Sequence, residues 1–397
     1  MTRPFEGIRI LDFTQVFAGP LASYQLSLLG AEVIKVERPG GEDMRGRRSA
    51  GQTEGRTSPG WIAINANKKN IALDLKHPDA VRVVKRLVLD CDVVMENFRA
   101  GIMDKLGIGY DVLKAINPKL IYCCVSGFGR EGPLSDDPAY DGKIQALSGI
   151  MSVTGHADAG PVRAGFAVCD ATAGMTAAFA VASALFQRTH TGKGQLVDVA
   201  MYDSALTMQA PAVGGFTIAG KDPGPSGNRA ISGLPTADLF PVKDGHLLLA
   251  VNNEKQFVAL MAAIDRNDVL SDPRFVDWTA RLANEPALNE IICAAFAEAD
   301  ADTWEAKLRE YDVPCAQIQT VGEAVNHEQL AARNYMQTVE THEGPVRLAT
   351  TGFRMEHGDA ELTDGFAWVG EHTDDVLAAA GYGKGDIAAL RDSGAVS

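Results

Sequence analysis

The chain lacks most of the short motifs that announce a cofactor or a nucleophile. No Gly-x-Gly-x-x-Gly follows its first apolar run, Ile8–Phe13, which argues against a nicotinamide dehydrogenase. There is no Gly-x-x-x-x-Gly-Lys-Ser/Thr loop, no Gly-x-Ser-x-Gly elbow and no His-Glu-x-x-His pair, so Walker-type phosphate binding, serine hydrolysis and zincin chemistry are set aside. The 8 histidines are scattered singly, and no metal site is expected. The six cysteines, Cys91, Cys123, Cys124, Cys169, Cys293 and Cys315, form no Cys-x-x-Cys pair. Most of them lie in apolar runs and read as buried free thiols of a reducing compartment. The opening MTRPFEGIRILDF has no apolar segment after a basic stretch, so no signal peptide is read. No apolar run reaches the length of a membrane span without a break. These absences together predict a cytoplasmic protein without a membrane partner.

Positive charge is scarce as well. Lys and Arg number 37 against 51 Asp and Glu, a net charge of −14, which argues against nucleic acid as a partner. The imbalance is uneven, because residues 1–76 carry eleven Lys/Arg and eight Asp/Glu. A locally basic segment on an acidic protein points to an anion site, of the kind phosphates occupy.

What is present is an alternation of apolar runs and helical patterns over 397 residues, enough for two domains. Ile8–Phe13 reads as a buried strand, Gly19-Pro20 as a helix start, Gly30 as its end and Ala31–Val36 as the next strand. That is a βαβ unit and predicts a parallel sheet covered by helices. Further strands are expected at Ile71–Leu75, Asp92–Glu96, Leu120–Ser126 and Leu196–Ala200. Helices are expected at Ala80–Leu89, around Ile102–Leu106 and Tyr110–Ile116, and from about Asp203. Gly220–Asn228 reads as a linker into a different texture: a hairpin over Phe240–Val251 turning at Lys243-Asp244-Gly245, then helices at Glu254–Ile264, Ala287–Ala297 and Thr303–Tyr311. A β-like stretch near Val346–Phe353 is expected to rejoin the first domain. The reading is an α/β chain with a large domain over 1–215, a smaller α+β domain over 216–325, and a segment 326–397 returning to the large one.

One acid stands out. From Ala164 to Gln187 the only ionisable side chain besides the Cys169 thiol is Asp170. A charge in such surroundings costs several kcal/mol unless paired or hydrogen-bonded. Asp170 therefore either N-caps the apolar helix Ala171–Phe186 or does chemistry.

Several local patterns then fall in order: FTQVFAGP (Phe13–Pro20), GAEVIKVERPGGEDMR (Gly30–Arg45), Asn67-Lys68-Lys69, LDLK (Leu73–Lys76), ENFR (Glu96–Arg99), SGFGREGP (Ser126–Pro133), PAYD (Pro138–Asp141), Arg163, CDATAG around Asp170, and GEHTDDVL (Gly370–Leu377). In this ordered set the chain resembles the class III CoA-transferases over essentially its whole length. The resemblance implies a Rossmann-like large domain plus a small domain, and two subunits threaded through each other as interlocked rings. It implies that CoA moves from an acyl-CoA donor to a carboxylic acid, with coenzyme A as substrate and no permanently bound cofactor. It makes Asp170 the catalytic aspartate, acting through aspartyl anhydride and aspartyl-CoA thioester intermediates. It implies CoA binding by Val16, Ala18, Arg38, Leu73, Lys76, Asn97, Phe98 and Lys105. Arg38, Lys76 and Lys105 suit phosphates by charge, and Phe98 offers an apolar face to adenine. Gln15, Phe17, Tyr140 and Arg163 are candidates at the reacting end, Arg163 together with Arg47 and Arg48 for a second carboxylate, which favours a di- or hydroxy-acid acceptor. Backbone N–H groups near Gly19 or beside Asp170 are candidate oxyanion donors. In formyl-CoA members the position of Phe17 is a glutamine, and Phe17 cannot copy its hydrogen bonds; the glycine-rich loop of those members is also missing, the chain running directly through Ile231–Asp238.

Two other readings compete. An α-methylacyl-CoA racemase shares the fold but carries a histidine where this chain has Tyr140, and a phenol is a poor base at neutral pH. A non-enzymatic CoA binder would leave Asp170 as a helix cap only.

Overall fold

The computed structural model describes residues 2–46 and 56–397. Residues 47–55 lie outside this description, and with them Arg47 and Arg48. Six parallel strands form one sheet: β1 (Arg9–Asp12), β2 (Glu32–Glu37), β3 (Lys68–Ala72), β4 (Val93–Glu96), β5 (Ile121–Ser126) and β6 (Leu196–Ala200), in the order β3-β2-β1-β4-β5-β6. The helices between them are α1 (Ala18–Leu28), α2 (Pro59–Asn65), α3 (Pro78–Leu87), α4 (Ile102–Lys105), α5 (Tyr110–Ile116), α6 (Asp141–Leu147), α7 (Ile150–Val153) and α8 (Val168–Thr191). After β6 come α9 (Met201–Met208) and α10 (Ala210–Ala219).

Alternation along the strands fills two cores. Ile10, Val33, Val93, Met95, Ile121 and Cys123 face one side with α1 and α8, while Leu11, Ile34, Val94, Tyr122 and Cys124 face the other with α3 and α5. The expected strand Ile71–Leu75 is corrected to Lys68–Ala72. Its polar start is buried because Lys68 pairs with Asp12 and Asn70 donates to Glu37, long-range partners that local apolar content does not reveal. Asp170 is not the helix cap: the N-cap of α8 is Ala167, and Asp170 sits inside the first turn.

The helix α8 is also longer than expected, 24 residues, and by length and composition it is apolar enough to cross a membrane. Here its small residues Ala173, Ala177, Ala178 and Val181 are buried in the core with Ala18, Ala22 and Leu26 of α1. Gly174 sets the closeness of that packing. A Cβ there would lie 2.7 Å from the Ala18 carbonyl oxygen.

The chain divides into two compact units. The first comprises Met1–Ile150, Ala164–Gly220 and Glu328–Ser397, the second Met151–Arg163 and Lys221–His327. The second unit holds an antiparallel sheet of β7 (Leu239–Val242), β8 (Gly245–Leu249) and β9 (Cys315–Gln317) around a core that includes Phe257, Phe275 and Phe296. The C-terminal part of the first unit contains the hairpin β10 (Met336–Val339) and β11 (Val346–Ala349), and Val396 pairs with Leu73 beside β3. Cys91, Cys123, Cys124 and Cys169 are buried; Cys293 and Cys315 are only half-buried, and all six are free thiols.

Candidate active site

Parallel strands place all their carboxyl ends along one edge. Chain connections leave β1 and β4 in opposite directions, which makes the crevice between their ends the switch point where open α/β sheets bind ligands. Two segments meet there. The Gln15 backbone N–H donates to Asn97 Oδ1 at 2.7 Å, and Asn97 Nδ2 donates back to the Gln15 carbonyl at 2.7 Å. The next residue, Val16, has φ +68°, a left-handed conformation that strains a β-branched side chain by about 1–3 kcal/mol.

Buried polar groups hold this turn from below. Asp12 Oδ1 accepts from the Thr14 N–H at 2.9 Å and the Thr14 hydroxyl at 2.5 Å, and Asp12 Oδ2 accepts from the Ser23 hydroxyl at 2.5 Å and pairs with Lys68 at 3.3 Å. Burial works to raise the Asp12 carboxyl, but the Lys68 and Lys35 ammonium groups and the two hydroxyls outweigh it and hold it below the ordinary value. Gly19 must be glycine, since a Cβ there would lie 2.4 Å from the Thr14 Cβ.

Asp170 enters from α8. Both α1, which leaves β1, and α8, which turns into β6, run antiparallel to the strands and start at the same sheet edge. Gly174 touches the first turn of α1, and Asp170 lies on the same helix face one turn earlier, about 6 Å nearer the edge. That turn points Asp170 toward the level of Gln15–Phe17.

The capping role expected of Asp170 is taken by another acid. Asp141, buried at the start of α6, accepts from the Cys169 N–H at 2.8 Å and the Asp170 N–H at 3.3 Å through Oδ1. Its Oδ2 accepts from Gln145 Nε2 at 2.6 Å, and Gln145 Oε1 accepts from the Ala164 N–H at 2.9 Å. The Asp170 carboxylate accepts no hydrogen bond among the described residues. Burial, and then the neighbouring Asp141 charge, raise it from 3.8 to about 6. With Val168 N–H donating to Phe166 O and Ala171 N–H to Ala167 O, no first-turn donor of α8 is left for an oxyanion. The oxyanion reading beside Asp170 is therefore corrected, and the Ala18 and Gly19 N–H groups at the start of α1 remain.

The other expected residues fall as follows. Arg38 follows β2, Leu73 and Lys76 follow β3, Val16 and Ala18 follow β1, and Asn97, Phe98 and Lys105 follow β4. These are four adjacent strands, so the eight line one stretch of the sheet edge. Arg38 is exposed, donates from Nε to the Gly41 carbonyl at 2.8 Å and pairs with Asp43. Lys76 and Lys105 are exposed and make no ion pair among the described residues. The Leu73 side chain is buried in the core, so only its backbone can meet a ligand; the Asn97 amide is committed to Gln15; the Phe98 ring packs partly against the core. Gln15 is exposed, Phe17 is half-buried as the N-cap of α1, and Tyr140 is 73% exposed as the N-cap of α6. Arg163 belongs to the second unit.

Two carboxyls were missed as site residues, Asp141 and Glu96. Glu96 is buried at the end of β4, accepts from the Phe98 N–H at 2.8 Å, and is raised to about 7 chiefly by burial. Both stand inside motifs already singled out, PAYD and ENFR, which was the available signal.

The family model for CoA-transferase family III matches residues 5–373. The chain is 38% identical over 335 residues to the acetyl-CoA:oxalate CoA-transferase of Acetobacter aceti, covering 84% of this chain and 85% of that protein. It is 32% identical over 398 residues to the succinyl-CoA:glutarate CoA-transferase of Mus musculus, covering 99% and 90%. A crystal structure of a CAIB/BAIF family protein from Brucella suis superposes with a TM-score of 0.87 at 33% identity, covering 96% of this chain and all of that one.

Proposed function

The chain belongs to CoA-transferase family III and is a CoA-transferase, and from that premise we propose that Asp170 carries the transfer covalently between an acyl-CoA and a dicarboxylic or hydroxy acid. The observation that carries this reading is the Asp170 carboxylate itself: one turn above the α1–α8 contact, without a hydrogen-bond partner among the described residues, its capping duty taken by Asp141. A carboxyl raised to about 6 is mostly ionised at neutral pH and is a stronger nucleophile than an ordinary carboxylate.

Asp170 attacks the thioester carbonyl, the C–S bond breaks, and an aspartyl–acyl anhydride and CoA thiolate form. The thiolate attacks the aspartyl carbonyl, releasing the donor acid and leaving an aspartyl-CoA thioester. The acceptor carboxylate displaces the thiolate to give a second anhydride. The thiolate then takes the acceptor's acyl group and frees Asp170. Each tetrahedral step places charge on an oxygen, and the Ala18 and Gly19 N–H groups are the donors available at this edge.

CoA lies along the Rossmann-like edge with its phosphates toward Arg38, Lys76 and Lys105. The acceptor is a dicarboxylate or hydroxy acid, because the two similar enzymes named above are named for oxalate and glutarate. The protein self-associates, as an interlocked pair by family resemblance. Support comes from α10, none of whose residues is buried, with Phe216 57% and Ile218 88% exposed, and from the face of α8 that leaves Phe179 75% exposed. The free thiols fit a cytoplasmic setting, and no permanent cofactor is invoked.

Hydroxylamine tests the covalent route. Added with acyl-CoA, it should inactivate the enzyme by forming a hydroxamate at Asp170, located by peptide mass spectrometry, and without acyl-CoA it should do nothing. Full activity during turnover in hydroxylamine, with no adduct and no borohydride-trapped thioester, would overturn it.

A further inference from the structure

Lys35 is a buried ammonium that the transfer chemistry does not use. It lies on β2, is 1% exposed, and its Nζ donates to the Thr14 carbonyl at 2.8 Å. Asp12, Glu37 and Glu42 all feel its charge, but among the described residues none of them accepts a hydrogen bond from it. Glu42 stands 3.6 Å away, too far for a hydrogen bond. Thr14, by contrast, is fully engaged: Asp12 takes its N–H and hydroxyl, and Lys35 takes its carbonyl. Immediately after Thr14 come Gln15, clipped to Asn97, and Val16 in its left-handed conformation. A strained residue persists only where its neighbours over-determine it. Upstream of Val16 the anchors are Asp12, Asn97 and Lys35.

We propose that Lys35 is a positioning residue for CoA transfer: its bond to the Thr14 carbonyl fixes the turn Gln15–Phe17 against Asp170, independently of its pairing with Glu42. This rests on the function proposed above. A neutral side chain of similar length fills the space but leaves the carbonyl without a donor, and the turn can then relax out of the Val16 conformation. Lys76 and Lys105 follow other strands, and Arg38, which follows β2 three residues after Lys35, is held by its own bonds to Gly41 and Asp43, so the effect falls on turnover rather than on donor binding.

The test compares the wild type with Glu42→Gln and with the double variant Lys35→Met/Glu42→Gln, in which Asp12 keeps its pair with Lys68 and Glu37 its pair with Arg45. The double variant is expected to fold and to keep its donor KM within about threefold, while kcat falls on the order of 10- to 100-fold, the penalty of a reacting group displaced by about 1 Å. Glu42→Gln alone is expected to keep kcat within about twofold. A double variant with wild-type kcat, or a Glu42→Gln loss as large as that of the double, overturns the proposal. A crystal structure of the double variant reads it without turnover: Val16 leaving the left-handed region supports it, and an unchanged Val16 overturns it. Absence of CoA transfer by the wild type would sink the proposed function alone, because the Val16 readout stands apart from activity.

Discussion

The two ends of the candidate site are held in opposite ways. At the phosphate end the charges are exposed: the Arg38 side chain is 62% exposed, and Lys76 and Lys105 stand in solvent. At the reacting end Asp12, Lys35 and Lys68 are buried and bonded to the backbone of Thr14 and Pro20 and to the Ser23 hydroxyl. Exposed cations are hydrated in either state and act as adjustable attractors. Buried ones cannot move without losing partners, and they fix geometry. Substitutions at one end should therefore read in binding, and at the other in turnover.

The largest effect should come from Asp170→Asn. It removes the nucleophile while leaving the Asp141 cap in place, so kcat should fall at least ~10⁴-fold with CoA affinity intact, as measured by steady-state turnover and calorimetric CoA binding. Near-normal turnover would erase the contrast between the two ends. Gly174→Ala comes next. Its Cβ would meet the Ala18 carbonyl at 2.7 Å, so α8 must shift from α1 and carry Asp170 with it. A loss in kcat of roughly 10- to 100-fold is expected, with a stability loss of about 1–3 kcal/mol by thermal unfolding. Arg38→Ala should raise the donor KM about tenfold, near 1.5 kcal/mol, and leave kcat nearly unchanged. A kcat effect there would show that the phosphate end also sets geometry. The smallest effect belongs to Asp141→Asn. The amide oxygen still accepts from the Cys169 and Asp170 N–H groups and the negative charge beside Asp170 is gone, while the new Nδ2 meets the Gln145 Nε2 donor at a stability cost of about 1–3 kcal/mol. The acidic limb of the rate profile, expected near pH 6 in the wild type, should move to lower pH.

Much of this was readable from local sequence. Apolar runs bounded by turn residues located β1, β2, β4, β5 and β6 within a residue or two, because all of these but the half-exposed edge strand β6 are buried on both faces and need little else. The strand β3 was misplaced because Lys68 and Asn70 are made strand-compatible by Asp12 and Glu37, which are distant in the chain. Asp170 stood out as a lone acid, but its relation to α8 did not. A carboxylate 29 residues upstream caps the helix, and no rule of local capping finds such a donor–acceptor pair. Asn97 carried the right motif but its side chain grips the Gln15 backbone, which only the meeting of β1 and β4 makes possible.

The unpartnered Asp170 carboxylate also leaves a mark on how the fold responds to acid. Its folded value near 6 lies above the unfolded 3.8, so between these pH values the native state holds the proton more tightly than the unfolded chain. Stability from this group is therefore present below about pH 4 and is lost as pH rises toward and past 6, to a total of up to about 3 kcal/mol. Asp12 slopes the other way. Its lowered carboxyl contributes above its ordinary value of 3.8 and loses that contribution in acid. One acid thus strengthens the native state at neutral pH while the other weakens it.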